Sequence, residues 1–355
     1  MLVKNIRNIM ASVAGVAVAT SAMGETNAGA KFDVYGEFRS ELTYNDDGLA
    51  KIEDDGKAST TTVLGVDDVK FGFKGKLNDR TSLNLRFSPM GDSMVDLAVA
   101  NWKAADMLSV SMGRDYVRQG GYSNWDNSFS NVWGDRIQSL AFDRNASSLS
   151  LHYMPNSSHN ITVQLVNDVM DDATTTTVKE ANYNTSHKQP AAILEYAGEF
   201  GSIKPMIQYG QYDLNHSSFW NVGARANFGA TALTFDYGAN SAFEKVGTSD
   251  KAAVYNTMTL RAEQDMGSMV PFLWFNSFNR TDKDVNGGTE SKTNTTGKWD
   301  DNATQISVGS SFKNFGDNWT PYVAYRMTSG KFTNAAGTEK TGSEGELGLG
   351  ATAHF

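Results

Sequence analysis

The chain has 355 residues, with 31 Lys and Arg against 40 Asp and Glu, and it contains no Cys. The lack of cysteine excludes disulfide frameworks, thiolate metal sites and cysteine nucleophiles, and the net charge of −9 argues against a nucleic-acid-binding protein. A mean hydropathy of −0.41, with no 18-residue apolar run beyond the N-terminus, excludes a helical membrane protein. A transmembrane β-barrel stays open, because barrel strands alternate apolar and polar residues and averaged hydropathy does not detect them.

The first thirty residues have the three parts of a secretory signal peptide. Two positive residues, Lys4 and Arg7, precede an apolar stretch that is followed by small residues. The apolar stretch is too short to cross a membrane as a helix. We expect cleavage after Gly24, or as late as Ala30, which leaves one exported domain over residues 25–355. Removing the peptide takes away two positive charges and lowers the net charge to −11.

From Phe32 onward the sequence alternates with a period of two, which is typical of β-strands. In FDVYGEFRSELTY, one face carries Asp33, Glu37, Arg39 and Glu41, and the other face is mostly apolar. So many charges on one strand face indicate that this face meets water, as the lumen side of a barrel strand does. The same division recurs in residues 69–77, 83–87, 95–99, 221–228, 231–238, 254–263, 322–328 and 345–355.

In the run MVDLAVA the alternation assigns faces directly. It places Val95, Leu97 and Val99 on the apolar outer face and Asp96 on the polar inner face.

The connections between these strands alternate in length. Short connections are predicted at 78–80, 103–106, 199–202, 228–230, 265–268 and 314–317, and long ones at 45–66, 116–135, 168–188, 241–252, 281–302 and 331–343. Barrels of the bacterial outer membrane have short periplasmic turns and longer external loops. The sequence therefore predicts an all-β, transmembrane antiparallel β-barrel.

The number of strands follows from parity. Seventeen segments are candidates, but single-chain bacterial barrels have an even number. We interpret residues 136–154 as one long strand that is broken by a bulge near Asn145, followed by a turn at NSSH, which gives sixteen strands. Eighteen strands, with an extra one within 173–183, is the competing count.

Several segments resemble the general porins of Gram-negative bacteria, which are trimeric, 16-stranded outer-membrane barrels. FDVYGEFRS is similar to the first strand of that family, FGFKGKLNDRTSLNLRF to its second hairpin, and LSVSMGRDYV to the end of its fifth strand. The chain ends in Phe355, which resembles the aromatic signal that the barrel-assembly machinery recognises. The segment 116–135 departs from the family because it lacks the usual Pro-Glu-Phe-Gly core.

The resemblance implies an outer-membrane location, lipid and lipopolysaccharide as neighbours, a homotrimer, and a loop at about 116–135 that narrows the pore. Carried over by position, the acidic residues of the constriction are Asp115, Asp126 and Asp135, and the basic residues of the facing wall are Arg39, Lys74, Arg86 and Arg114. Alternation from Met112 would point Arg114 outward, so a lumen-facing Arg114 requires an irregularity at the strand end.

The implied function is passive diffusion of small hydrophilic solutes and ions, and the net charge of −11 adds a weak preference for cations. A channel selective for a sugar, phosphate or carboxylate is the alternative. We expect no enzyme, because G-x-S-x-G is absent and the adjacent residues His216 and Ser217 lie on one predicted loop, where sequence neighbours do not usually form a catalytic pair. No cofactor, no metal ion and no nucleic-acid partner are expected.

Overall fold

The computed structural model describes residues 31–47, 59–89, 94–125, 145–166, 191–213, 217–246, 249–284, 302–313, 315, 318–333 and 339–354. These residues form sixteen strands and one short helix, α1 (Gly121–Trp125). Among them, no helix is long and apolar enough to cross a membrane. The strands are β1 (Lys31–Asp47), β2 (Ser59–Lys76), β3 (Thr81–Phe87), β4 (Val95–Ala105), β5 (Leu108–Tyr116), β6 (Asn145–Asn156), β7 (His159–Val166), β8 (Ala191–Gly198), β9 (Ile203–Asp213), β10 (Ser217–Phe228), β11 (Thr231–Val246), β12 (Ser249–Gln264), β13 (Met269–Asp284), β14 (Asn302–Phe312), β15 (Trp319–Thr333) and β16 (Glu339–His354).

The strands form one closed antiparallel barrel in which each strand pairs with its neighbours in sequence. The barrel closes where β1 pairs with β16, with Glu37 opposite His354 and Arg39 opposite Thr352. The predicted all-β barrel of sixteen strands is therefore confirmed. The segment 173–183, which would have supplied an extra strand, lies outside the described residues.

The connections at one end of the barrel are short, as the sequence predicted. They comprise residues 77–80, 106–107, 157–158, 199–202, 229–230, 265–268 and 313–318. Three of these turns place a glycine at positive φ, namely Gly201, Gly229 and Gly267, where a residue with a Cβ would be strained. The turn predicted at NSSH is present between β6 and β7, whereas residues 136–144 lie outside the described residues.

At the other end the strands reach further than the sequence indicated. The prediction of a long connection at 241–252 is wrong, because β11 and β12 stay paired as far as Val246 and Ser249. Likewise β15 and β16 stay paired to Thr333 and Glu339, inside the loop predicted at 331–343. At a strand end that projects into water, polar residues can form the same backbone hydrogen bonds between strands as apolar ones. The end of the apolar alternation in the sequence therefore did not mark the end of the strand.

The two faces of the sheet differ as expected of a barrel in a membrane. On β6, Leu149, Leu151 and Tyr153 are exposed on the outside, and Ser150 and His152 are buried on the inside. The same alternation holds around the barrel, with Leu347 and Leu349 outside β16 and Thr352 inside. Polar residues on the inner face are buried because neighbouring side chains, and the chain that folds into the lumen, cover them.

The face assignment of β4 is corrected by a bulge. Arg86 lies opposite Leu97 and Phe87 lies opposite Val95, so Asp96 is an extra residue in β4. An extra residue reverses the faces of every residue beyond it. Leu97 and Val99 consequently face inward and are only 2% and 5% exposed, contrary to the outward assignment from alternation.

Candidate functional site

The chain enters the lumen where β5 ends. Residues 117–125, which we call the lumen segment, follow Tyr116 and include α1. The described hydrogen bonds of this segment lead to β7, β8, β9 and β11, none of which pairs with β5. Val117, Gln119 and Ser123 of the segment are buried. The lumen segment therefore crosses the inside of the barrel and lies against the wall formed by β7 to β11.

The near half of the lumen segment is held by Arg118. Its backbone N–H donates to Gln164 Oε1 over 2.9 Å, and its guanidinium forms an ion pair with Glu195 on β8. Gln164 Nε2 donates in turn to the carbonyl of Tyr116 over 2.9 Å. Because the two side chains of the ion pair are only 13% and 2% exposed, the pair is shielded from water, and loss of either partner would leave a buried charge without its counter-ion.

The far half of the segment is held by Asp236 on β11. Asp236 Oδ1 accepts from the N–H of Tyr122 over 2.9 Å, and Asp236 Oδ2 accepts from the N–H and hydroxyl of Ser123 over 2.8 and 2.6 Å. The N–H of Gly121 donates to Gln208 Oε1 over 2.9 Å. These bonds satisfy the N–H groups of the first turn of α1, which have no partner within a helix.

Glycine is required on both sides of the Asp236 carboxylate. Gly121 has φ 64°, and a Cβ there would lie 2.1 Å from Asp236 Oδ1. A Cβ at Gly223 on β10 would also lie 2.1 Å from the same oxygen. The carboxylate thus occupies space that exists only because these two residues lack side chains.

Tyr122 presents a neutral phenol inside the lumen. Burial raises the pKa of Tyr122 to about 12, and the nearby carboxylates of Asp236 and Glu195 act in the same direction. The group therefore stays protonated at physiological pH, and the surface of the lumen segment at this point is polar without charge.

Arg86, one of the predicted wall residues, lies beside the start of the lumen segment. Its Nε donates to Asp96 Oδ2 over 2.5 Å, and its guanidinium carbon lies 5.2 Å from the centre of the Tyr116 ring. Tyr35 on β1 donates to Asn84 Oδ1 over 2.7 Å on the same inner face. The bulge at Asp96 produces this arrangement, because it turns the carboxylate toward Arg86.

Arg39 and Lys74 are also on the inner face, on the side of the barrel opposite β9 and β10. Arg39 is half-buried, and Lys74 is exposed opposite Asp33. The structure therefore places Arg39, Lys74 and Arg86 on one wall, formed by β1 to β3, while the lumen segment lies against another.

Arg114 and Asp115 lie near the end of β5, where the strand is irregular. Gly113 has φ 129°, and a Cβ there would lie 1.9 Å from the carbonyl oxygen of Ala98. This is an irregularity of the kind that a lumen-facing Arg114 requires. Arg114 itself is half-buried, and its register partners Ala98 and Ser147 lie on the outer face of β4 and β6, so a place for Arg114 in the lumen stays a prediction. Asp115 is half-buried, and its Oδ1 accepts from the N–H of Tyr116 over 2.8 Å.

Three predicted residues, Asp126, Asp135 and Phe355, lie outside the described residues. Sequence reasoning missed the residues that hold the lumen segment: Arg118, Gln164, Glu195, Gln208 and Asp236. Alternation placed Asp236 on a polar face of TALTFDYG, but nothing in the sequence indicated which part of another strand's loop would reach it.

A Ser–His contact also lies on the inner wall. His152 Nε2 is 2.8 Å from Ser111 Oγ, and His152 Nδ1 is 3.0 Å from Thr162 Oγ1. The Ser111 hydroxyl donates to Asn101 Oδ1 over 2.6 Å, so its proton is directed away from the imidazole. A nucleophilic serine needs the opposite arrangement, with a carboxylate or equivalent orienting the base. This contact is a neutral polar network.

Comparison with known proteins shows similarity in structure alone. No family model and no curated protein matches the sequence. Among solved structures, the outer membrane channel DcaP of Acinetobacter baumannii matches with a TM-score of 0.64 at 12% identity, covering 93% of this chain and 98% of that one. An anion-selective porin from Comamonas acidovorans matches with a TM-score of 0.62 at 14% identity, covering 92% and 100%.

The trimer form of OmpT, an outer membrane protein of Vibrio cholerae, matches with a TM-score of 0.58 at 14% identity, covering 92% of this chain and 100% of that one. The chain has the fold of the outer-membrane porins.

Proposed function

We propose that the protein is an outer-membrane porin that forms a water-filled channel for passive diffusion of small hydrophilic solutes and ions. The observation that carries this proposal is a closed sixteen-strand barrel, apolar outside and polar inside, with the lumen segment docked across its interior. An outer face of exposed Leu, Val and Tyr side chains suits lipid, and a closed sheet leaves no unpaired backbone in the membrane.

The location that fits this fold is the outer membrane of a Gram-negative bacterium. The signal peptide would direct export, and Phe355 would be recognised by the barrel-assembly machinery. The short turns would then face the periplasm and the longer loops the outside, where they would meet lipopolysaccharide. A homotrimer is supported by the trimer form of OmpT, which shares the fold.

Conduction in this proposal depends on charges that face each other across a narrow, wet lumen. The basic wall is Arg39, Lys74, Arg86 and Arg114, and the acidic side of the constriction is Asp115, Asp126 and Asp135. A field between opposed charges favours hydrated, polar solutes over apolar ones. The mature net charge of −11 adds a weak preference for cations. The chain acts as a channel and not as an enzyme.

Single-channel recording tests this function. Purified mature protein is inserted into a planar bilayer, and conductance and the reversal potential under a salt gradient are measured. We expect large ohmic openings that arrive in threes, a reversal potential on the cation side, and a smaller cation preference in Asp126→Asn. Small openings that one sugar, phosphate or carboxylate blocks would instead indicate a substrate-selective channel. Absence of conductance from folded, heat-modifiable protein would overturn the pore.

A further inference from the structure

We propose that Asp236 is a positioning residue of the pore: it fixes the far half of the lumen segment against β11 and so keeps the open cross-section constant. This inference rests on the proposed function, since a cross-section matters only in a barrel that conducts. Asp236 is distinct from the charges assigned to the constriction, because its role is to hold backbone in place.

The first argument is that the carboxylate is fully engaged by the lumen segment. Both oxygens accept hydrogen bonds, and the three donors among the described residues belong to Tyr122 and Ser123. The residue is only 3% exposed, so water does not compete for these bonds. Hydrogen bonds to a charged acceptor are about twice as strong as neutral ones.

The second argument is the place of this contact along the segment. The chain leaves the wall at Tyr116 on β5 and is next held by Arg118 at β7 and β8. Of the described contacts, those with Asp236 lie furthest around the barrel from β5. Without them, the residues after Gly121 would lose the charged anchor on the wall that the described contacts give them, and the segment could move within the lumen.

The third argument is shape. Gly121 and Gly223 leave room for a carboxylate at this point and for nothing larger beside it. The neutral amide of Asn has the same shape and fits the space, but it cannot accept the same set of hydrogen bonds. Asn offers one acceptor oxygen, and its NH₂ group would face an N–H or O–H donor of the segment.

The first experiment compares Asp236→Asn with a matched control, Asp33→Asn. Asp33 is an exposed, inward-facing carboxylate on β1, so the control removes the same charge from the lumen without touching the lumen segment. In single-channel recordings we expect Asp236→Asn to convert the steady open level into fluctuating sub-levels with increased current noise. Asp33→Asn should keep a steady level.

The second experiment restores the contact covalently. The chain has no native Cys, and the side chains of Ser123 and Asp236 are in hydrogen-bond contact at 2.6 Å. In the double variant Ser123→Cys/Asp236→Cys, an oxidised disulfide should hold the segment and give a steady level. Reduction with dithiothreitol in the same recording should produce the fluctuating levels of Asp236→Asn.

These outcomes separate the inference from the function on which it rests. Steady levels in Asp236→Asn, or in the reduced double variant, would overturn the positioning role while leaving the pore intact. Equal noise in Asp33→Asn would also overturn it, because loss of lumen charge alone would then explain the effect. If the wild-type protein does not conduct, the proposed function itself is refuted, and the positioning role falls with it. A double variant that gives steady levels when oxidised and fluctuating levels when reduced supports the inference and shows that its barrel has folded.

Discussion

The buried ion pair between Arg118 and Glu195 gives a quantitative test of how the lumen segment is held. In Arg118→Met, the Glu195 carboxylate keeps the hydrogen bond from Gln208 Nε2 at 2.7 Å but loses its counter-ion in a site that is 2% exposed. Breaking one partner of a buried pair costs about 3–5 kcal/mol. A loss of about 3 kcal/mol favours the undocked segment by roughly 100-fold.

Thiol labelling measures that equilibrium directly. Val117, beside Arg118, is 0% exposed, and Val117→Cys introduces a single cysteine into a chain that has none. When labelling requires transient undocking, its rate follows the population of the undocked state. We expect Arg118→Met in this background to accelerate maleimide labelling by about 100-fold.

The matched double variant tests the electrostatic reason for that change. Arg118→Met combined with Glu195→Gln removes both charges of this pair and so leaves neither of them buried without its partner; its labelling rate should therefore fall between those of Arg118→Met and the parent. If Arg118→Met labels within about twofold of the parent, or if the double variant labels fastest, the ion pair does not hold the segment and the reasoning is refuted.

Three further changes test other parts of the structure. Gly113→Ala should lower the free energy of urea unfolding by at least about 2 kcal/mol, because φ is 129° and the new Cβ would meet a carbonyl oxygen. The control Gly201→Ala, with φ 63° and open space around it, should lower it by only about 1 kcal/mol. Equal losses in the two variants would count against the predicted clash at Gly113. The Lys313 ammonium that hydrogen-bonds to Asp265 holds the pKa of that carboxyl below its usual value of 3.8, so the stability that it contributes is present above pH 3.8 and is lost as the pH falls through the lowered pKa. The difference in unfolding free energy between wild type and Asp265→Asn should therefore shrink in acid, and a difference that grows would contradict this sign. Lys74→Glu should shift the reversal potential in a salt gradient toward cation selectivity. An unchanged reversal potential would show that Lys74 does not line the conducting wall.

Much of the barrel could be predicted because its physics is local. In β1, the placement of Asp33, Glu37 and Arg39 on one face follows from period two alone, and their register partners on β2 and β16 agree with it. Parity, which applies to any chain whose two ends lie on the same side of a membrane, excluded seventeen strands but left both sixteen and eighteen possible.

The bulge at Asp96 could not be predicted, because MVDLAVA alternates equally well with or without an extra residue. The bulge accompanies a hydrogen bond of 2.5 Å from Arg86 Nε on the neighbouring strand to the Asp96 carboxylate, and sequence spacing carries no record of that contact. Asp236 illustrates the same limit: its inward direction follows from alternation, but its partners Tyr122 and Ser123 are more than a hundred residues away. Contacts across the lumen depend on how the barrel closes, which local patterns do not encode.

The pairing of the first strand with the last has a consequence for the order of events during biosynthesis. Glu37 cannot meet His354 until all sixteen strands lie side by side, so the ring stays open until the last step of barrel assembly. Until then β1 and the most recently added strand each present a row of unpaired N–H and C=O groups, which is a template for pairing with other chains. Contacts between such distant positions also form slowly. A truncation that removes β16 should therefore yield an aggregating chain rather than a smaller barrel.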